Sequence, residues 1–155
     1  MNVGIIVYSQ TGNTLSVAKR LKDALEAKGL QAAVERVTIE GEKLTNEPII
    51  ITSAPDAAKY DALVFASPVM AFSLCPVMKQ YLKQLPDLKG KKAGCFVTQG
   101  LPYDWMGGSR AIRIMSAALK DKGAEVAATG IVHWKNETAR EEQAAKTVEA
   151  LCAAL

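Results

Sequence analysis

The feature that most constrains the fold is a regular alternation of short apolar runs with longer amphipathic runs. The apolar runs have the length and residue types of buried strands. They lie at residues 3–8, 31–38, 61–66, 92–98 and 124–132. The amphipathic runs have helical spacing. They lie at residues 13–28, from Pro76 onward, at 108–122 and at 138–153. This alternation predicts a parallel sheet with helices on both faces, and right-handed crossovers make it a doubly wound α/β sandwich.

The segment 40–58 is the least regular part of the chain. Pro48–Thr52 is consistent with a short edge strand, and Pro55–Lys59 with a single helical turn. The 155 residues contain no internal repeat or linker, so a single domain over 1–155 is expected.

Composition excludes several classes of protein. Apolar residues make up 49% and charged residues 23% of the chain, as in an ordinary soluble domain. No apolar run is long enough to span a bilayer, and the N-terminus reads directly into a strand, so a cytoplasmic location is expected. Cys75, Cys95 and Cys152 are too widely spaced for a zinc site or a disulfide framework. A net charge of +3 is too small to indicate nucleic-acid binding.

Residues Ser9–Thr14 form the first loop at the expected ligand-binding edge of the sheet. They join the first strand to the first helix, and they contain three hydroxyls, one glycine and no charge. Backbone N–H groups at such a turn, together with the helix dipole, favour phosphate. The Lys of a triphosphate-binding loop is absent. A single terminal phosphate and an ordinary capped turn both remain compatible with this loop alone.

Two further loops are expected at the same edge, where ligands bind doubly wound sheets. The first, Ser67–Leu74, is apolar, although a surface loop is expected to be polar. The second, Thr98–Gly108, carries two aromatic residues and three glycines. Two loops of this kind beside a phosphate-binding turn indicate a slot for a flat ring with a phosphate tail.

The three loops together resemble those of the short-chain flavodoxins. Ser9–Thr14 is similar to their S/T-x-T-G-x-T phosphate loop, and Asp61–Val69 to their strand and loop ending in S-P-V. Thr98–Gly108 falls at their second flavin-contacting loop. The resemblance implies a five-stranded parallel sheet in the order 2-1-3-4-5 and an FMN cofactor.

The resemblance also implies a role for each loop. Hydroxyls and N–H groups of residues 9–14 would bind the FMN phosphate. Val69, Met70 and Phe72 would cover one side of the isoalloxazine ring, and Tyr103 or Trp105 the other. Backbone groups of residues 98–100 would bind the pyrimidine edge. The complete set of candidate cofactor-binding residues is Ser9, Gln10, Thr11, Gly12, Asn13, Thr14, Ser67, Pro68, Val69, Met70, Phe72, Thr98, Gln99, Gly100, Tyr103, Trp105 and Gly108.

Several residues depart from the family pattern. Met70 stands where many members have an aromatic, and Ala71 stands where many have a glycine, which accepts positive φ without cost. Arg110 and Arg113 lie near the start of a helix, where the dipole disfavours cations. They either point to water or meet an anion, such as an acidic partner or the phosphate of NADPH. His133 is the only histidine, and we expect a structural role for it.

Two functions follow from the resemblance. The first is an FMN-binding redox protein that carries electrons to a partner protein or a small acceptor. The alternative is an FMN-dependent NAD(P)H:quinone or flavin oxidoreductase, with NAD(P)H as a further partner. A signalling receiver of the same topology would need carboxylates where Tyr8-Ser9 and Ala66-Ser67 stand, and a phosphatase would need a Cys in the first loop.

Overall fold

Strands and helices alternate through the chain much as the sequence predicts. The computed structural model describes residues 1–41, 44–45 and 47–155. Its strands are β1 (Asn2–Val7), β2 (Gln31–Arg36), β3 (Thr38–Ile39), β4 (Ile51–Ser53), β5 (Ala62–Met70), β6 (Ser73–Leu74), β7 (Lys92–Gln99) and β8 (Glu125–His133). Its α-helices are α1 (Asn13–Ala27), α2 (Pro76–Leu82), α3 (Gly108–Asp121) and α4 (Glu137–Ala154).

Five parallel strands form the central sheet, in the order β2-β1-β5-β7-β8. This is the predicted 2-1-3-4-5 order, and the predicted fold class is confirmed. The strand order reverses beside β1, so the carboxyl ends of β1 and β5 form a switch point at which a ligand can enter.

The helices cover both faces of this sheet and create two apolar cores. On one face, α2 and α3 pack against the sheet through residues such as Met78, Met115 and Leu119, all fully buried. On the other face, α1 and α4 contribute Leu21 and Leu151. Because both faces are covered, the loops at the strand ends are the main surface left for function.

Local signals set the ends of several helices. Pro76 occupies the first turn of α2, as predicted. Asn136 caps α4, since its Oδ1 accepts a hydrogen bond from the Ala139 N–H at 3.0 Å. Gly29 and Gly123 follow α1 and α3 with φ of 92° and 90°, which ends each helix in the left-handed region.

The segment 40–58 differs in detail from the prediction. The edge strand expected at Pro48–Thr52 is β4, at Ile51–Ser53, and it pairs antiparallel with β3 in a separate two-stranded ribbon. The predicted strand 31–38 is therefore divided between β2 and the ribbon. A 3-10 turn at Ala57–Lys59 lies in the predicted helical turn. Residues 42, 43 and 46 of this segment lie outside the described part of the chain.

The prediction of a loop at Ser67–Leu74 is wrong, because β5 continues as far as Met70. Pairing with β7 carries the strand as far as Pro68, which lies opposite Thr98. Residues 69–70 then pair antiparallel with β6. The apolar character of the segment, which is unusual for a loop, is that of a hairpin packed against α3.

In the described residues, no helix is both long enough and apolar enough to cross a membrane.

Candidate functional site

The phosphate loop (residues 9–14) connects β1 to α1 and is folded by its own first hydroxyl. Ser9 Oγ accepts hydrogen bonds from the N–H groups of Gly12 at 3.1 Å and Leu15 at 3.3 Å. Gly12 precedes the helix with φ of 92°, a conformation that favours glycine. Ser9 is only 5% exposed, and its Oγ acts as an acceptor within the turn.

The first N–H groups of α1 are left free at this loop. Gly12, the N-cap residue, has no side chain to cap the helix, and Ser9 Oγ accepts only the Leu15 N–H of the first turn. The N–H groups of Asn13 and Thr14 lie in its first turn, where intrahelical acceptors do not exist. Together with the dipole, they form a neutral site for an anion. This donor set fits a single phosphate group.

Thr14 links the phosphate loop to the carboxyl end of β7. Its Oγ1 lies 2.8 Å from Thr98 Oγ1, and both residues are buried. The sequence predicts that each belongs to the cofactor site, and the structure brings the two hydroxyls together. A ligand that touches the phosphate loop therefore also approaches the start of the third loop.

Arg36 is a neighbour of the phosphate loop that the sequence analysis missed. Its Nη2 donates to the Ser9 carbonyl oxygen at 3.1 Å. The parallel register places Arg36 beside Val7, immediately before the loop. A cation at the carboxyl end of the second strand was the available signal, because that end lies next to the first loop in the predicted strand order.

The hairpin of β5 and β6 forms one wall of the site. Its two turn residues, Ala71 and Phe72, have φ of 49° and 59°, and no other non-glycine residue in the described ranges has positive φ. Two successive positive φ values are typical of a type I′ turn, which matches the right-handed twist of the two strands that it joins. Phe72 is 60% exposed, and so an aromatic ring is held out at the edge of the sheet.

The aromatic loop (residues 100–107) forms the opposite wall. The Gln99 side chain holds it, since Nε2 donates to the carbonyl oxygens of Leu101 and Tyr103, both at 2.7 Å. The rings of Tyr103 and Trp105 are stacked on each other, with centroids 5.9 Å apart and planes 7° apart. Both side chains are more than half exposed.

Glycine is required where the aromatic loop meets the hairpin. A Cβ on Gly107 would lie 2.5 Å from Val69 Cγ1 and 2.9 Å from the Phe72 backbone. The φ of Gly107 is 121°, a further reason that other residues are excluded. The two walls of the site therefore touch at this point.

Two adjoining cavities lie between these walls. The first, of about 210 Å³, extends from the phosphate loop to the ends of β5 and β7. The second, of about 480 Å³, lies between the hairpin and the aromatic loop. The first is lined by Gln10, Thr11, Asn13, Thr14, Pro68, Val69, Met70, Thr98, Gln99, Gly100 and Trp134. The second is lined by Val69, Ala71, Phe72, Gln99, Gly100, Leu101, Met106 and Lys135.

Eleven of the predicted site residues line one or both cavities, and six do not. Ser67 lies in the core, where its Oγ donates to the Pro68 carbonyl oxygen. Gly108 opens α3 and faces Gln99 Oε1. The remaining four residues outside the cavity linings are Ser9, Gly12, Tyr103 and Trp105.

The end of β8 reaches the site more closely than the sequence suggests. Trp134 donates its N–H to the Gln99 carbonyl oxygen at 2.8 Å, and its ring lies under the Arg140 guanidinium at 5.0 Å. Trp134 lines the first cavity and Lys135 the second. Neither residue is among the cofactor-binding residues that the sequence predicts.

Thiol or phenol chemistry has no support at this site. Burial is the main cause that raises the pKa of Tyr8 and of Cys75, so both stay protonated at neutral pH. Within the part of the chain that the structure describes, no group of His, Cys, Asp and Glu side chains could hold a metal ion. The arrangement is suited to binding and orienting a cofactor.

Comparison with known proteins identifies the family. The family model described as Flavodoxin matches residues 5–147. The flavodoxin of Megasphaera elsdenii is 32% identical over 142 residues, covering 90% of this chain and 91% of that protein. An NAD(P)H dehydrogenase (quinone) of Archaeoglobus fulgidus is 29% identical over 118 residues, covering 64% of this chain and 62% of that protein.

Solved flavodoxin structures have the same fold. The solution structure of two-electron reduced Megasphaera elsdenii flavodoxin has a TM-score of 0.72 and 27% identity, with 98% of this chain and 99% of that chain covered. The flavodoxin of Streptococcus pneumonia TIGR4 has a TM-score of 0.74 and 22% identity, with both chains fully covered. The sequence match, the strand order and the loops at the switch point agree, and the chain belongs to the flavodoxin family.

Proposed function

We propose that this flavodoxin binds FMN across the two cavities and transfers electrons to a partner protein. The phosphate would lie against the free N–H groups at the start of α1, and the ring between the hairpin and the aromatic loop. The observation that carries this proposal is that the anion site at the start of α1 lies next to the apolar cavity between the hairpin and the aromatic loop. When bound, the flavin supplies the redox chemistry; the protein supplies position and electrostatics.

The protein groups would divide the work between the two ends of the cofactor. The N–H groups of Asn13 and Thr14 would bind the phosphate, with Thr11 at the edge of the same cavity. Val69 and Leu101 would exclude water from the ring, since both line the second cavity. Lys135, at the rim of that cavity, would place a positive charge near the ring.

FMN titration of the apo-protein tests the proposal. We expect a stoichiometric complex with altered flavin fluorescence, and Gly12→Ala should weaken it, because a Cβ at φ of 92° strains the loop by about 1–2 kcal/mol. Gly90→Ala is the matched control. It has φ of 82°, and like Gly12 it has no atom within 4 Å of an added Cβ. Absence of FMN uptake by the unaltered protein would refute the proposal.

We further propose that the redox partner presents an acidic surface. Lys135 lines the second cavity, called the ring cavity from here on. Arg110 and Arg113 follow the aromatic loop on α3. None of the three has an ion pair among the described residues. Asp104 is the sole acidic residue of the aromatic loop, and His133 already engages it.

Mixing the FMN-loaded protein with NADPH or NADH without air distinguishes the NAD(P)H-dependent oxidoreductase from an electron-transfer protein. Rapid bleaching of the bound flavin by NADPH or NADH would support the oxidoreductase. We expect no rapid bleaching, because Arg110 and Arg113 line neither cavity. The similarity to the Archaeoglobus protein makes this measurement necessary.

A further inference from the structure

The aromatic loop is attached to β8, the neighbouring strand, by a contact between Asp104 and His133. His133 Nε2, at the end of β8, lies 2.6 Å from Asp104 Oδ1. The Nε2 atom is buried and makes no hydrogen bond within the described structure. The Asp104 carboxylate is the polar group that lies beside it.

Gln143 fixes the orientation of the His133 ring. Its Oε1 accepts a hydrogen bond from the His133 backbone N–H at 2.6 Å, which leaves its Nε2 facing the ring. That amide nitrogen lies 3.1 Å from His133 Nδ1. An amide N–H donates here, so Nδ1 is the acceptor and the ring proton is on Nε2, the nitrogen that lies beside Asp104 Oδ1.

Asp104 lies near the middle of the aromatic loop. It lies between Tyr103 and Trp105, whose rings stack on each other. Gln99 already holds the first half of the loop through Leu101 and Tyr103. The contact with His133 adds a second attachment, after which the chain continues into Met106, a residue of the cavity wall.

We propose that His133 is a positioning residue for the cofactor. Through Asp104 it holds the aromatic loop against β8, and the loop in turn forms the outer wall of the ring cavity. The loss of FMN is then limited by opening of this loop. The role assigned to the cofactor rests on the proposed function, whereas the attachment of the loop does not.

The test compares FMN release from Asp104→Ala, His133→Asn and the double variant. We expect each single change to accelerate release by about 3- to 5-fold, as for a single contact that is partly exposed to solvent. The double variant should be no faster than the faster single variant, because the two residues act together. Asp104→Asn keeps an acceptor oxygen and should release FMN within about 2-fold of the unaltered protein.

Two controls separate positioning from general stability. Asp121→Ala removes an exposed Asp from the other end of α3 and should leave release unchanged. Melting temperatures should differ little among the Asp104 variants, because Asp104 is 59% exposed. An Asp104→Ala release rate equal to that of the unaltered protein, or additive effects in the double variant, would overturn the inference.

A measurement on the apo-protein keeps the inference independent of FMN. In a Trp134→Phe background, acrylamide quenching reports on Trp105 alone, since the chain has two tryptophans. Asp104→Ala should increase quenching and weaken the near-ultraviolet signal of the Tyr103–Trp105 stack. Unchanged quenching would refute the attachment of the loop, whereas failure to bind FMN would refute only the proposed function.

Discussion

At the scale of single residues, Thr14 and Thr98 show how the site is connected before any ligand binds. Their hydroxyl oxygens are 2.8 Å apart, and both side chains are buried. The pair joins two loops separated by 84 residues in sequence. Periodicity predicts that both loops reach the same edge, but the direct contact depends on the register of β1, β5 and β7.

We expect Thr14→Val to lower the free energy of unfolding by about 1–2 kcal/mol, because it leaves the buried Thr98 hydroxyl unpaired. The double variant Thr14→Val/Thr98→Val should recover part of that loss, since no hydroxyl then lacks a partner. Urea unfolding of the apo-protein measures both. Thr129→Val, at an exposed position of β8, is the control. Purely additive losses would contradict the pairing.

Because of Cys95, we expect the free energy of unfolding to fall as pH rises through the alkaline range. Burial raises the pKa of its thiol from 9.0 to about 11. The unfolded thiol ionises first, so the stabilisation is complete below pH 9 and is lost as pH rises from 9 to 11. At pH 10 the loss is about 1.4 kcal/mol. Cys95→Ala should remove this component, as urea unfolding at pH 8 and pH 10 would show; equal pH dependence in both proteins would contradict it.

At the scale of elements, the hairpin of β5 and β6 is the main difference from the sequence prediction. Its apolar residues were assigned to a loop because β6 has only two residues, too few to show an alternating pattern. The turn lacks the Asn-Gly or Asp-Gly signal of such hairpins. Ala71 and Phe72 adopt the positive φ values nonetheless, and Gly107 lies close to the Phe72 backbone.

Ala71→Gly should relieve this strain. A non-glycine residue in the left-handed region costs about 1–2 kcal/mol, partly offset by the greater freedom of glycine in the unfolded chain. We expect a net gain in the free energy of unfolding of about 0.5–1 kcal/mol in thermal or urea unfolding. Ala127→Gly, in an exposed part of β8 without positive φ, should be destabilising instead. A loss at both positions would contradict the strain.

The remaining omissions at this scale have one cause. The sequence predicts each strand and helix from its own residues, but it does not show which strand ends meet. The residues that were missed reach the site because their strands end beside β1 or β7 at the carboxyl edge of the sheet. They are Arg36, Trp134 and Lys135. Asp104 and His133 are 29 positions apart, and neither belongs to a periodic pattern. The loops that carry a motif were predictable, and the contacts between them were not.

At the scale of the whole molecule, the charge distribution distinguishes this chain from an acidic carrier. The net charge is +3, and α3 begins with arginines where its dipole disfavours them. Electrostatic complementarity acts mainly on association rates and is screened by salt. The proposed acidic partner is therefore open to a kinetic test.

Electron exchange with a reduced acidic plant-type ferredoxin should slow as ionic strength rises, and exchange with basic cytochrome c should not. Arg113→Glu should lower the low-salt rate with ferredoxin several-fold. Lys120→Glu is the matched control, since it lies on the same side of α3 about 10 Å further along the helix. Stopped-flow measurement over a salt series gives the rates. An equal effect of the two variants would contradict the proposed partner.

The Ser9 hydroxyl has a consequence for how the cofactor arrives. Because it binds two N–H groups of its own turn, the phosphate loop is held in its binding shape by the protein alone. Preorganisation of this kind removes the entropy cost of ordering a loop on association. If FMN binds as proposed, its phosphate tail would therefore meet a loop that needs no rearrangement, whatever the aromatic loop does around the ring.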